Sequence, residues 1–89
     1  MKLLKFYTNS CCQCKMLGKA FEDFNLIPME PIDCEEDPDD LAIKFQVRSL
    51  PTLVLVNDEG EFLRKFTGHI TREEVEKVIN DELGNRSTS

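Results

Sequence analysis

Cys11 and Cys14 form a C-x-x-C pair in the stretch Ser10-Cys11-Cys12-Gln13-Cys14-Lys15, directly after the apolar run Leu3, Leu4, Phe6 and Tyr7. The junction reads as the end of a strand and the start of a helix. The first turn of a helix carries unpaired backbone N–H groups and the positive end of the macrodipole, so a thiolate placed there is stabilised. A free cysteine titrates near 8.5, and a C-x-x-C pair at a helix N-terminus brings this to about 7 or lower. The thiolate is the species that attacks disulfides, and a second sulfur within reach can close onto the first and expel a bound substrate. Zinc sites use the same spacing, so the pair alone leaves two chemistries open. Cys12 adds a further ambiguity, because it could pair with Cys14 as a C-x-C. The spacing from Phe6-Tyr7-Thr8 favours Cys11 as nucleophile, which makes Cys12 an exposed third thiol beside the site.

These residues need a scaffold, and the chain supplies one. Residues 2–8 read as a strand apolar enough to lie inside a sheet. Residues 12–25 place Leu17, Ala20, Phe21 and Phe24 on one helical face, with Asn25 ending it. Residues 26–33 read as a second strand, which Pro28 and Pro31 restrict to an edge. Asp37-Pro38 is a helix start, a capping side chain followed by proline, for a short helix with Leu41 and Phe45 on one face, ending near Gln46. Leu53 to Val56 is a buried strand, Asn57 to Gly60 a hairpin loop and Glu61 to Thr67 the returning strand. Thr71-Arg72-Glu73-Glu74 is a capping box. It opens a last helix with Val75, Val78, Ile79 and Leu83 on one face, which Gly84 ends. The order βαβαββα, under the crossover rule, predicts an α/β fold: a mixed four-stranded sheet with helices on both faces. The first strand then lies inside the sheet and presents the cysteines at its C-terminal end.

At 89 residues the chain makes one domain, expected over 1–84, with 85–89 as a polar C-terminal tail. No apolar run approaches the ~20 residues needed to span a bilayer, and the N-terminus lacks the apolar core of a signal peptide. Four cysteines without an export signal predict a reducing, cytoplasmic compartment. A net charge of −6 argues against binding a phosphate backbone, so neither nucleic acid nor membrane is expected as a partner.

Three features together resemble the thioredoxin superfamily over residues 1–83: Phe6-Tyr7 leading into Cys11-x-x-Cys14-Lys15, then Arg48-Ser49-Leu50-Pro51-Thr52, then Gly68 just past the last strand. The ending resembles thioredoxin more than glutaredoxin, whose glycine pair for glutathione is missing. The length is that of a glutaredoxin, similar to the short thioredoxin-like proteins of archaea and phages. The resemblance implies a thioredoxin fold, a cis Leu50–Pro51 bond against the disulfide, and a groove of Leu50, Pro51 and Gly68 in which the Leu50 backbone pairs with an extended substrate. It implies Cys11 as nucleophile, Cys14 as resolving thiol, and no cofactor beyond the Cys11–Cys14 disulfide. Protein disulfides are the implied substrates, ribonucleotide reductase one such client, and thioredoxin reductase the electron donor of a monomeric protein. A glutathione-coupled reductase, a zinc site or a non-catalytic binding module are the alternatives. A zinc site would draw on Cys11 or Cys12, Cys14, Cys34 and His69.

Several positions depart from the family pattern. Ser10 stands where a tryptophan usually precedes the first cysteine, and Cys12-Gln13 where Gly-Pro usually lies between the two. Lys5 occupies the position of a buried acid on the first strand. Its amine either runs to solvent along the sheet edge or, beside a thiol, favours the thiolate. Cys34, after the second strand, is either a secondary regulatory thiol on the same sheet edge as Cys11 or a small apolar packing residue.

Overall fold

The computed structural model describes the backbone of residues 1–88 and the side chains of residues 1–84. The strand β1 (Lys2–Tyr7) buries Leu3 on one side and Leu4 and Phe6 on the other. A strand apolar on both faces is stable only between neighbours. It pairs in parallel with β2 (Met29–Asp33) and antiparallel with β3 (Thr52–Val56), all of whose residues are buried. Beyond β3 lies β4 (Phe62–Phe66), antiparallel to it, giving the order β2-β1-β3-β4. The proline-bearing β2 is an edge strand, with Pro31 in register with Lys5.

The helices α1 (Cys12–Ala20) and α3 (Arg72–Thr88) bring Leu17, Phe21, Val75 and Ile79 against Leu3, Leu53, Leu55 and Phe66. On the other face, α2 (Leu41–Lys44) and the Phe45 after it cover Leu4, Phe6, Val54 and Val56. The element order and the mixed four-stranded sheet are those expected of a thioredoxin fold. Among the described residues no helix is long and apolar enough to cross a membrane.

The boundaries differ from the expected ones in instructive ways. α1 stops at Ala20 and not at Asn25, because its ladder tightens: the N–H groups of Glu22 and Phe24 bond the carbonyls of Lys19 and Phe21. That turn sets the Phe24 ring 5.4 Å from Phe21 and beneath the guanidinium of Arg72. α2 starts at Leu41, after a turn through Pro38 and a left-handed Asp40 (φ 51°). Asp37 still caps it from a distance, its carboxylate accepting the N–H groups of Leu41 and Ala42 at 3.0 and 2.8 Å. In α3, Thr71 Oγ1 accepts the Glu74 N–H, as the capping box requires. Leu83, expected on the buried face, is 42% exposed. A helix of 17 residues runs about 25 Å while a five-residue strand runs about 17 Å, so the last turns outlast the sheet. Gly84 does not end the helix; it lacks the positive φ of a glycine cap, and the backbone continues to Thr88. The side chains of the expected 85–89 tail lie outside the described residues.

Candidate active site

Cys11 is the N-cap of α1. Its backbone is extended (φ −88°, ψ 109°), and its Sγ accepts the N–H of Cys14 at 3.2 Å. This is the geometry by which a serine or aspartate caps a helix, with sulfur in place of oxygen. A group that accepts an N–H bond gains by being charged. The Cys14 thiol first of all holds the Cys11 thiol below its usual range; burial opposes it, and the backbone amides of Cys14 and Gln13 add to the lowering.

Cys14 sits one turn on, 3% exposed, on the face of α1 that meets the sheet. Burial first, then the hydrogen bond to Cys11 and the charge on Cys11, push its thiol up to about 11; the Thr8 backbone and the Lys5 charge pull the other way. The pair thus favours the thiolate at its more exposed sulfur and the neutral thiol at the covered one.

Lys5 does not run clear to solvent. It is half-buried, with Nζ 5.6 Å from the centre of the Tyr7 ring. A Cβ built on Gly18 would stand 3.1 Å from that Nζ, so the ammonium lies under α1, one turn along from Cys14.

Beside the thiols, the Leu50–Pro51 peptide is cis and Pro51 is buried. Thr52 Oγ1 donates to the Ser49 carbonyl at 2.7 Å, which ties the loop to the start of β3. Leu50, Pro51 and Gly68 line a groove of about 560 Å³ together with Gln13, Met16 and His69. Gly68 has φ +70°, a conformation in which a side chain is strained. Gln13 and Met16 were not singled out from the sequence as groove residues. Their signal was a methionine, 71% exposed, on an otherwise polar helix surface. Gly18 was missed as well, although a glycine inside a helix costs about 1 kcal/mol relative to alanine and so asks for a reason.

The remaining candidates fall elsewhere. Cys12 and Lys15 are exposed on the first turns of α1. Cys34 lies on the opposite face of the sheet, packed against the cluster of Leu4, Phe6 and Phe45. Burial, then the carboxylate of Asp37, push its thiol up, and Asp33 adds to this, against a backbone hydrogen bond with Tyr7. Cys34 and Cys14 therefore lie on different faces of the sheet. Among the described residues no three His, Cys, Asp or Glu are grouped to hold a metal ion.

The Thioredoxin family model matches residues 1–81. The SPbeta prophage-derived thioredoxin-like protein YosR of Bacillus subtilis is 32% identical over 68 residues, spanning 76% of this chain and 82% of that protein. Bloodstream-specific protein 2 of Trypanosoma brucei brucei is 31% identical over 92% of this chain, but the chain spans only 17% of that protein's length. Among solved structures, a mutant thioredoxin from Halobacterium salinarum superposes with a TM-score of 0.78 at 30% identity, covering 90% of this chain and 72% of that one. With the fold, the C-x-x-C at the head of α1 and a family match over nearly its whole length, the chain belongs to the thioredoxin family of thiol–disulfide oxidoreductases.

Proposed function

We propose that this protein reduces disulfide bonds of other proteins, with Cys11 as nucleophile and Cys14 as resolving thiol. The Cys11 thiolate attacks one sulfur of a substrate disulfide. The substrate S–S bond breaks, its other sulfur leaves as a thiolate and takes a proton from water, and a mixed disulfide on Cys11 forms. Cys14, having lost its proton, then attacks Cys11 Sγ. The Cys11–Cys14 bond forms, the bond to substrate breaks, and the substrate departs reduced by two electrons.

The observation that carries this reading is the Cys14 N–H on Cys11 Sγ at 3.2 Å, which readies one sulfur of the pair while burial holds the other back. The groove of Leu50, Pro51 and Gly68 receives an extended substrate segment, and Gln13 and Met16 form its helical wall. The oxidised pair needs an external reductant; by family analogy a flavin-dependent thioredoxin reductase serves, and ribonucleotide reductase is one client. Residues 1–84 act as one monomeric domain in the cytoplasm, where thiols stay reduced. Cys34 packs, and Cys12 and Lys15 border the site.

Disulfide-reduction turnover, driven in parallel by thioredoxin reductase and by glutathione, tests this. Turnover with the reductase is expected for the parent and none for Cys11→Ser. Turnover with glutathione alone would mean glutaredoxin-like use. Loss of fold with a chelator and no turnover would mean a zinc module.

A further inference from the structure

Lys5 is the residue that the dithiol cycle leaves unexplained. It rises from β1 on the face covered by α1, between Pro31 of β2 and Leu53 of β3 in the sheet register. Among the described residues it forms no ion pair with a carboxylate; its Nζ has the Tyr7 ring on one side and the backbone of Gly18 on the other. Gly18 follows Cys14 by one helical turn, so both lie on the same face of α1. A methyl group at Gly18 would press on the ammonium at 3.1 Å, which gives a reason for glycine inside a nine-residue helix.

We propose that Lys5 is a positioning residue for the second step: its ammonium, lodged beneath α1 in the space that Gly18 leaves open, steadies the charge on the Cys14 sulfur as that sulfur attacks Cys11. This rests on Cys14 being the resolving thiol. In the step, the Cys14 proton passes to water, the Cys14–Cys11 bond forms and the Cys11–substrate bond breaks. The dithiol is oxidised and the substrate sulfur reduced, and Lys5 takes part in no bond that forms or breaks. A cation beside a buried thiol favours the charged form. Burial and then the Cys11 thiol oppose ionisation of Cys14, while the Thr8 backbone and, as the smallest of these influences, the Lys5 charge assist it.

The test uses the full chain with Cys12→Ser and Cys34→Ser as background, mixed with less than one equivalent of the disulfide of thionitrobenzoate. The first thionitrobenzoate released reports attack by Cys11, and the second reports resolution by Cys14. Lys5→Met is expected to slow the second release about threefold at neutral pH, equal to about half a pKa unit, and to displace its pH profile upward, with the first release less affected. Lys5→Arg, which keeps the charge, is expected to retain most of the parental profile. Gly18→Ala keeps Lys5 and favours the helix, and it is expected to shift the second release in the same direction as Lys5→Met. A second release that coincides with the parent at every pH in Lys5→Met overturns the proposal. So does a slowing that is equal at every pH and shared by Lys5→Met and Lys5→Arg, since it would mean that the side chain only packs. A second release that persists in Cys14→Ser at a rate independent of protein concentration, and so not by attack of a second molecule's Cys11, overturns instead the assignment of Cys14 on which the proposal stands.

Discussion

Cys11 and Cys34 both follow strands that run in parallel, and both stand at the same end of the sheet. Their surroundings are nonetheless opposite. Cys11 heads a helix and its sulfur accepts an amide N–H, which favours the thiolate. Cys34 leads into a turn, spends its own N–H on the Tyr7 carbonyl at 2.9 Å, and packs its side chain into an apolar cluster with Asp37 and Asp33 close enough to be felt. Burial and like charge both favour the neutral thiol there. Position at a sheet edge therefore does not make a cysteine reactive. The direction of the nearest backbone amides and the sign of the neighbouring charges do.

The comparison can be broken most sharply by deletion. Cys11→Ser is expected to lower disulfide-reduction turnover by about a thousandfold or more, because nucleophilic catalysis is lost outright, whereas Cys34→Ser stays within about twofold of the parent. A comparable loss in Cys34→Ser would mean that the two strand ends cooperate. Next in size is intrinsic reactivity. With iodoacetamide at pH 7, Cys11 is expected to react about tenfold faster than Cys34 or more, by mass mapping of the labelled peptides. The sign follows from the shifts: a lowered pKa leaves Cys11 charged at lower pH, and a raised one keeps Cys34 protonated until higher pH, so the ratio must shrink as pH rises. A ratio that is flat with pH would refute the electrostatic explanation.

Asp37 sharpens the contrast, because one carboxylate both caps α2 and faces Cys34. Asp37→Ala is expected to cost about 1 kcal/mol of stability in denaturant unfolding, the usual worth of a cap. The same change removes a negative charge near Cys34, so its alkylation should quicken by about threefold while that of Cys11 stays put. The smallest expected effect is that of Cys34→Ala, below about 1.5 kcal/mol in stability, since a half-buried sulfur leaves little void.

Much of this was legible in the residues. The two-sided apolar pattern of Leu3, Leu4 and Phe6 placed β1 inside the sheet, and the prolines sent β2 to the edge, because each rests on a local rule that tertiary packing does not override. The C-x-x-C at a strand-to-helix junction marked the site for the same reason. What the residues did not disclose depends on packing between elements. Asp37-Pro38 was a true capping signal, but the side chain reaches across a turn, so the helix begins later than the dipeptide suggests. The direction of the Lys5 amine could not be chosen without knowing that Gly18 leaves a gap above it. Neither could the faces taken by Cys14 and Cys34 be told apart before the helices were laid on the sheet.

The two outer strands carry a consequence of their own. Pro31 gives β2 a residue with no hydrogen to donate, and the exposed Arg64 and Lys65 set charge along β4. A stray strand from a neighbouring molecule thus meets a gap at one flank and ammonium and guanidinium groups at the other. Joined to an overall charge of −6, these edges disfavour strand-to-strand pairing between copies of the chain.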